Sequence, residues 1–235
     1  MRQSNTDHHI LCQDGRRLPV KVRRHPRARR ITIRLDPRGE SLNLVLPRGT
    51  ALAEGIAFAE REKDWVAKCL AALAPVRRFE PGTSVPLQGE AHIIRHLPWA
   101  RRGVWLEAGA ICVCGRPEHV PRRVRDFLIA RAGELIHPAA REKAARLDRP
   151  VGRITLRDTT SRWGSCSAKG DLSFSWRLVL GPAHVLDYVV AHEVAHLVEQ
   201  NHGPRFWDLA ASLTERMEEA KAWLRHNGRD LWRYG

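Results

Sequence analysis

Apolar positions recur with a two-residue period over the first part of the chain: Leu18, Val20 and Val22, then Ile31, Ile33 and Leu35, then Leu42, Leu44 and Leu46. Side chains of an extended strand point alternately to opposite faces, so this period predicts three strands of an antiparallel sheet with one wet, arginine-bearing face. Asp36-Pro37-Arg38-Gly39 supplies the turn between the second and third. The period then changes. Residues 51–73 are rich in Ala, Glu and Lys and carry Ile56, Ala59, Trp65, Val66 and Leu70 at helical spacing, which predicts one long amphipathic helix. Pro75 and Pro81-Gly82 close it off, and residues 85–97 and 104–114 read as two further short hairpins.

After Arg116-Pro117 the texture becomes helical. Residues 121–136 and 139–147 read as two helices separated by His137-Pro138, and residues 151–157 and 171–176 as two strands flanking a loop. Gly181-Pro182 begins another helix, because proline fits a first turn whose N–H has no partner. Val185, Leu186, Val189, Val190, Val194, Leu197 and Val198 extend it from residue 183 to about 199. The expected fold is α+β. Its N-terminal part, 1–118, is β-rich and antiparallel, with strands within 16–47 and 84–114 and one long helix. A mostly helical part, 119–235, follows. No internal repeat is evident.

With 235 residues, 43% of them hydrophobic, the chain can bury a sizeable core. No apolar run approaches the ~18 residues of a membrane span, so a soluble protein is expected. Residues 1–7 lack the apolar stretch and cleavage site of a secretory signal, which points to the cytoplasm. Five cysteines, an odd number without regular spacing, do not form a disulfide framework. Alternation about Cys112 and Cys114 suits a strand with both thiols on one face better than half a metal site. The net charge of +14, nearly all arginine, attracts phosphate. It is compatible with a nucleic-acid partner without requiring one, and an arginine-rich composition accounts for it equally well. Oligomeric state is not legible.

The candidate chemistry lies in His192-Glu193-Val194-Ala195-His196. Residues four apart share a helix face, so both imidazoles can reach one ion while Glu193 stands beside them to take a proton from water. A zinc ion would satisfy polar groups that are costly to bury on an otherwise apolar helix. A catalytic zinc needs a third protein ligand and one open position. His202 is the favoured candidate, with Asn201 adopting a left-handed conformation that swings it back; Glu199, one turn after His196, is the rival. Spacing through His202 matches the metzincin motif in length, but Glu199 stands where that motif has glycine and Met217 lies in a helical context, so metzincin membership is rejected. Arg162-Trp163-Gly164-Ser165-Cys166-Ser167 reads as a tight loop whose backbone amides and Arg162 could face a developing oxyanion, or as a turn packing Trp163 into the core. Arg162 and Ser165 are therefore candidate substrate or oxyanion contacts; Tyr188, one helical turn before His192, is another, or packs; and Cys166 is structural. Phe206, Trp207, Leu209, Leu213 and Trp223 recur as core, while Trp232 and Tyr234 either cover an edge or hang loose.

These segments together, with Leu186-Asp187-Tyr188-Val189-Val190 leading into the histidine pair, then Asn201-His202 and Phe206-Trp207, resemble the YgjP-like metallopeptidase family, related to SprT-like and other zincin domains. The resemblance spans roughly residues 16–235 and is strongest over 153–223. It implies a zincin-type α+β core, zinc held by His192, His196 and His202, and Glu193 as the catalytic glutamate. Gly203 stands where members often have serine after the third histidine. The expected function is zinc-dependent peptide or protein hydrolysis with water activated by Glu193. Two other readings stay open. One is hydrolysis of a nucleotide phosphoanhydride at the same metal; the other is a nucleic-acid-binding module with structural zinc, resting on arginines 23, 24, 27, 29 and 30.

Overall fold

The computed structural model describes residues 8–11 and 15–235. Residues 1–7, read above for a targeting signal, and Cys12 lie outside them. The chain divides into two compact units, one ending at Pro75 and the other spanning Val76–Gly235. The division therefore falls well before the change of texture near residue 118. Ile94, Ile111 and Val113 share one hydrophobic cluster with Val124 and Leu128, so the strands just before that point belong with the helices after it.

In the first unit, β1 (His9–Leu11), β2 (Arg17–Arg24), β3 (Thr32–Leu35) and β4 (Leu42–Leu46) form a sheet of order β1-β2-β4-β3. The three predicted strands are present, but β2 and β4 run parallel. Alternation decides which side chains face the core; it carries no information on strand direction, which the connection sets. Residues 25–31 cross over, and the hairpin forms between β3 and β4 through the expected turn, where Gly39 at φ 70° donates its N–H to the Asp36 carbonyl at 2.8 Å. Leu42, Leu44 and Leu46 are fully buried with Ile10, Leu18 and Val20. The predicted single helix is two, α1 (Leu52–Arg61) and α2 (Lys63–Ala71), divided at Glu62, whose backbone leaves helical geometry. Periodicity cannot detect a one-residue break. α1 approaches the sheet closely, since a Cβ on Gly55 would fall 2.5 Å from a Leu46 methyl.

The second unit repeats the sheet topology. β5 (Ser84–Leu87), β6 (Glu90–His96), β7 (Val104–Glu107) and β8 (Ala110–Val113) take the order β5-β6-β8-β7, with two antiparallel hairpins joined by a parallel β6–β8 pair. The two expected hairpins are therefore present, turning on Gln88-Gly89 and Ala108-Gly109, all at positive φ. The repeat is one of topology and is not evident in the hydrophobic pattern of the sequence. α3 (Val120–Arg146) is continuous through Pro138, where two helices were expected. Its buried stripe of Val120, Val124, Leu128, Ala132, Ile136, Ala140 and Ala144 runs unbroken across the proline, so packing outweighs the lost hydrogen bond.

A small sheet of order β10-β11-β9 follows, from β9 (Ile154–Arg157), β10 (Gly164–Cys166) and β11 (Leu172–Ser175). The segment expected as a tight loop is thus an edge strand, antiparallel to β11. Three helices complete the unit: α4 (Ala183–Ala195), α5 (Pro204–Ser212) and α6 (Met217–Asn227). Buried Lys143 on α3 ties to Asp187 on α4 at 2.7 Å and donates to the Leu213 carbonyl at 2.6 Å. Trp232 stacks on Trp163 with ring centroids 4.4 Å apart, and buried Arg177 donates to the carbonyls of Leu231 and Tyr234. The tail is packed. Among the described residues, no helix is long and apolar enough to cross a membrane.

Candidate metal centre

α4 buries Val185, Leu186, Val189, Val190 and Val194, which fixes the helix in the core and sets the direction in which His192 projects. The helix ends at Ala195, short of the expected residue 199, and His196 is its C-cap. Leu197 and Val198 continue as a tightened turn, bonding the Val194 and Ala195 carbonyls at 2.9 and 3.1 Å. Asn201 does not take the expected left-handed conformation; the described non-glycine residues at positive φ are Gln88, Ala108 and Asp148. The chain instead reverses through a Gly203 N–H bond to the Asn201 carbonyl at 2.8 Å and enters α5 at Pro204.

This turn brings His202, and not Glu199, to the histidine pair. One nitrogen from each of His192, His196 and His202 lies within 4.8 Å of the others, the one such group able to hold a metal among the described residues. The Nε2 atoms of His192 and His202 are 3.1 Å apart. Two nitrogens on a tetrahedral zinc at 2.0–2.1 Å would stand roughly 3.3 Å apart, so the donor set fits the ion. His196 donates from Nδ1 to the Glu199 carbonyl at 3.0 Å, which leaves its Nε2 lone pair free. Burial, with neighbouring His196, His202 and Lys221, pushes His192 down to about 4, so its ring is neutral at pH 7. Burial lowers His196 as well.

Fully buried Phe206 lies under all three imidazoles, at centroid distances of 4.9, 4.5 and 4.6 Å. Trp207 donates its indole N–H to the His202 carbonyl at 3.1 Å and carries the Lys221 ammonium 4.0 Å above its ring. The predicted core character of Phe206 holds, but its place as the floor of the histidine cluster is not visible in helical spacing.

Glu193 turns toward β10 and is 6% exposed. A Cβ on Gly164 would fall 2.5 Å from its Cγ, so only glycine leaves room for this carboxylate. Burial pushes Glu193 up to about 7, opposed by the Arg162 guanidinium and by a hydrogen bond from the Cys166 backbone N–H. A carboxyl poised there can both take and return a proton near neutral pH. The sequence points to the backbone amides of this segment as facing an oxyanion; the Cys166 amide instead bonds Glu193, and the approach of Gly164 to that side chain is not legible in the sequence.

Of the weaker candidates, Arg162 is exposed and acts on Glu193 through its charge. Ser165 pairs opposite Ser173 within the sheet. Tyr188 meets His192 edge-on at 5.9 Å, and burial holds its hydroxyl protonated, pushed up to about 12. Burial also pushes Cys166 up to about 11, so it is a thiol rather than a nucleophilic thiolate.

The chain belongs to the YgjP-like family, whose metallopeptidase domain matches residues 29–227. It is therefore a metal-dependent hydrolase by class, and the histidine group is where such an ion could be held. No curated protein and no solved structure matched the chain.

Proposed function

We propose that the protein is a zinc-dependent peptidase in which His192, His196 and His202 hold the ion and Glu193 is the general base. The convergence of three imidazole nitrogens within 4.8 Å carries this reading. Three nitrogen donors, with no fourth protein ligand grouped with them among the described residues, fit an open catalytic position better than a closed structural site. When bound, zinc supplies a Lewis acid that polarises a carbonyl and acidifies water. Glu193 accepts the proton of the attacking water and delivers it to the leaving amine, a shuttle suited to a carboxyl held at about 7. The Cys166 N–H bonds that carboxylate, and the charge of Arg162 favours its ionised form. Peptide bonds are the substrate class that family membership supports.

The test is metal analysis with turnover on a peptide panel and a nucleoside triphosphate panel, for wild type and Glu193→Gln. Stoichiometric zinc in both proteins is expected, with peptide turnover falling roughly 10²–10⁴-fold in the variant. Full turnover by zinc-loaded Glu193→Gln would remove the role given to Glu193. Triphosphate hydrolysis without peptide hydrolysis would move the function to the phosphoanhydride reading.

A further inference from the structure

The first unit holds a groove that the proposed hydrolysis does not use. β3 is the last strand of its sheet, bonded to β4 on one side only. A groove at the start of β3 is lined by Arg29 through Ile33, by Pro47 and Thr50 after β4, and by Phe58 and Trp65 on the helices. Trp65 is 40% exposed. An open strand edge offers unpaired N–H and C=O groups that a further extended segment can bond.

The two faces of this edge have opposite characters. Ile31, Ile33 and Leu35 pack against the unit's hydrophobic cluster, so they form the inner row. Alternation places Thr32 and Arg34 on the outer row; Arg30 lies in the bend just before the strand, and both arginines are exposed. Between Gly15 and Leu35 the chain carries nine lysines and arginines and no acidic residue. Among the described residues, Arg23, Arg27, Arg29, Arg30 and Arg34 make no ion pair.

We infer that this groove is a docking site for an extended peptide with apolar residues on one face and carboxylates on the other, added as a fifth strand beside β3. Every second side chain enters the groove against Ile31, Ile33 and Trp65. The alternate ones lie across from Thr32 and Arg34, with Arg30 just before the strand, where opposite charges attract. A nucleic acid fits less well: Glu54 and Glu62 line the same groove and would face its phosphates, and a sugar-phosphate chain cannot continue the strand's hydrogen-bond ladder. The inference goes beyond the hydrolysis proposed above, because docking needs neither metal nor Glu193.

The experiment measures binding by fluorescence anisotropy on the full chain carrying Glu193→Gln, so that failure to dock and failure to hydrolyse are read separately. The probe is a fluorescein-labelled octapeptide alternating valine and glutamate. Saturable binding is expected, weakened about tenfold or more by Arg30→Glu with Arg34→Glu, and similarly by replacing the probe's glutamates with lysine. Trp65→Ala, with the fold checked by circular dichroism, should also weaken it. N-methylation of alternate probe amides should abolish it, which a purely electrostatic surface would not show. Equal affinity for the N-methylated probe, or for the double arginine variant, overturns the inference. So does tighter binding of a ten-residue oligothymidylate that competes with the peptide, or self-association through β3 that excludes the probe.

Discussion

The two four-stranded sheets share one topology and differ in what they support. Each has an antiparallel hairpin on either side of a central parallel pair, β2–β4 in the first and β6–β8 in the second. The same tripeptide stands before the third strand in both, Ala28-Arg29-Arg30 and Ala100-Arg101-Arg102. In the first sheet the apolar row closes a small cluster of its own with Ala59 and Val66. In the second, all four residues of β8 are buried, and Ile111 and Val113 join the cluster that contains α3 and α4. One topology thus serves as a self-contained unit with an open edge and as part of the scaffold that fixes the histidine helix. Strand order alone decides neither role; the outward residues of the strands do.

The largest expected effect lies within the second unit. His202→Ala should lower zinc affinity about 10²-fold, one ligand's share of a zinc site, while Glu199→Gln leaves it nearly unchanged because the Glu199 contact to His196 is made by its backbone carbonyl. Zinc titration of both variants checks this. Loss in Glu199→Gln with unchanged zinc in His202→Ala would reverse the ligand assignment.

Matched core truncations test the comparison itself. Leu44 and Ile111 are both fully buried, at 0% solvent accessibility, one in each cluster. Leu44→Ala and Ile111→Ala should each cost about 2–4 kcal/mol. Hydrogen exchange should show the first loss in peptides covering β4 and the second in peptides covering β8 and α4. Only Ile111→Ala is expected to reduce zinc occupancy. If Leu44→Ala lowered it equally, the two clusters would act as one cooperative unit.

A smaller effect is expected at β10. Gly164→Ala introduces a Cβ 2.5 Å from the Glu193 Cγ, so the carboxylate must move. A displacement of about 1 Å at a reacting group can cost up to about 10²-fold in rate. Peptide turnover should therefore fall by about tenfold or more with zinc content unchanged. Unaltered turnover would show that Glu193 needs no fixed place against this strand.

How much of this was legible depended on whether local pattern or long-range pairing decided the outcome. The alternation at Leu42, Leu44 and Leu46 named the buried residues of β4 correctly, because burial on one face is a local property. It could not show that β2 lies parallel to β4, since direction depends on the crossover of residues 25–31. Pro138 carries a large intrinsic cost inside a helix and so predicts a break, yet the stripe from Val120 to Ala144 packs across it. At the site, the i, i+4 spacing of His192 and His196 was visible in the sequence, whereas the approach of Gly164 to Glu193 joins residues 29 positions apart and leaves no local trace. The topological repeat escaped notice for a related reason: the second hairpin turns on two residues, Ala108-Gly109, while the first uses the longer segment after Leu35, so the spacings do not superpose.

The smallest expected effect probes the most detailed correspondence between the sheets. In each, the last residue of the parallel-paired strand reaches the carbonyl two residues beyond its register partner. Arg24 pairs with Leu46 and donates to the Arg48 carbonyl at 3.2 Å; His96 pairs with Val113 and bonds the Gly115 carbonyl at 2.7 Å. The next backbone N–H extends the ladder in both, from His25 to Leu46 and from Leu97 to Val113. These side chains close the loop that follows the central strand. Arg24 also donates to Thr50 at 2.6 Å but is exposed, so water can replace it, whereas His96 is half-buried. His96→Ala should therefore cost about 1 kcal/mol and Arg24→Ala about half as much, both within the usual net value of one hydrogen bond. Denaturant midpoints of the two variants would measure the difference. A larger loss for Arg24→Ala would mean that the loop after β4 relies on its side-chain clamp more than its counterpart after β8 does.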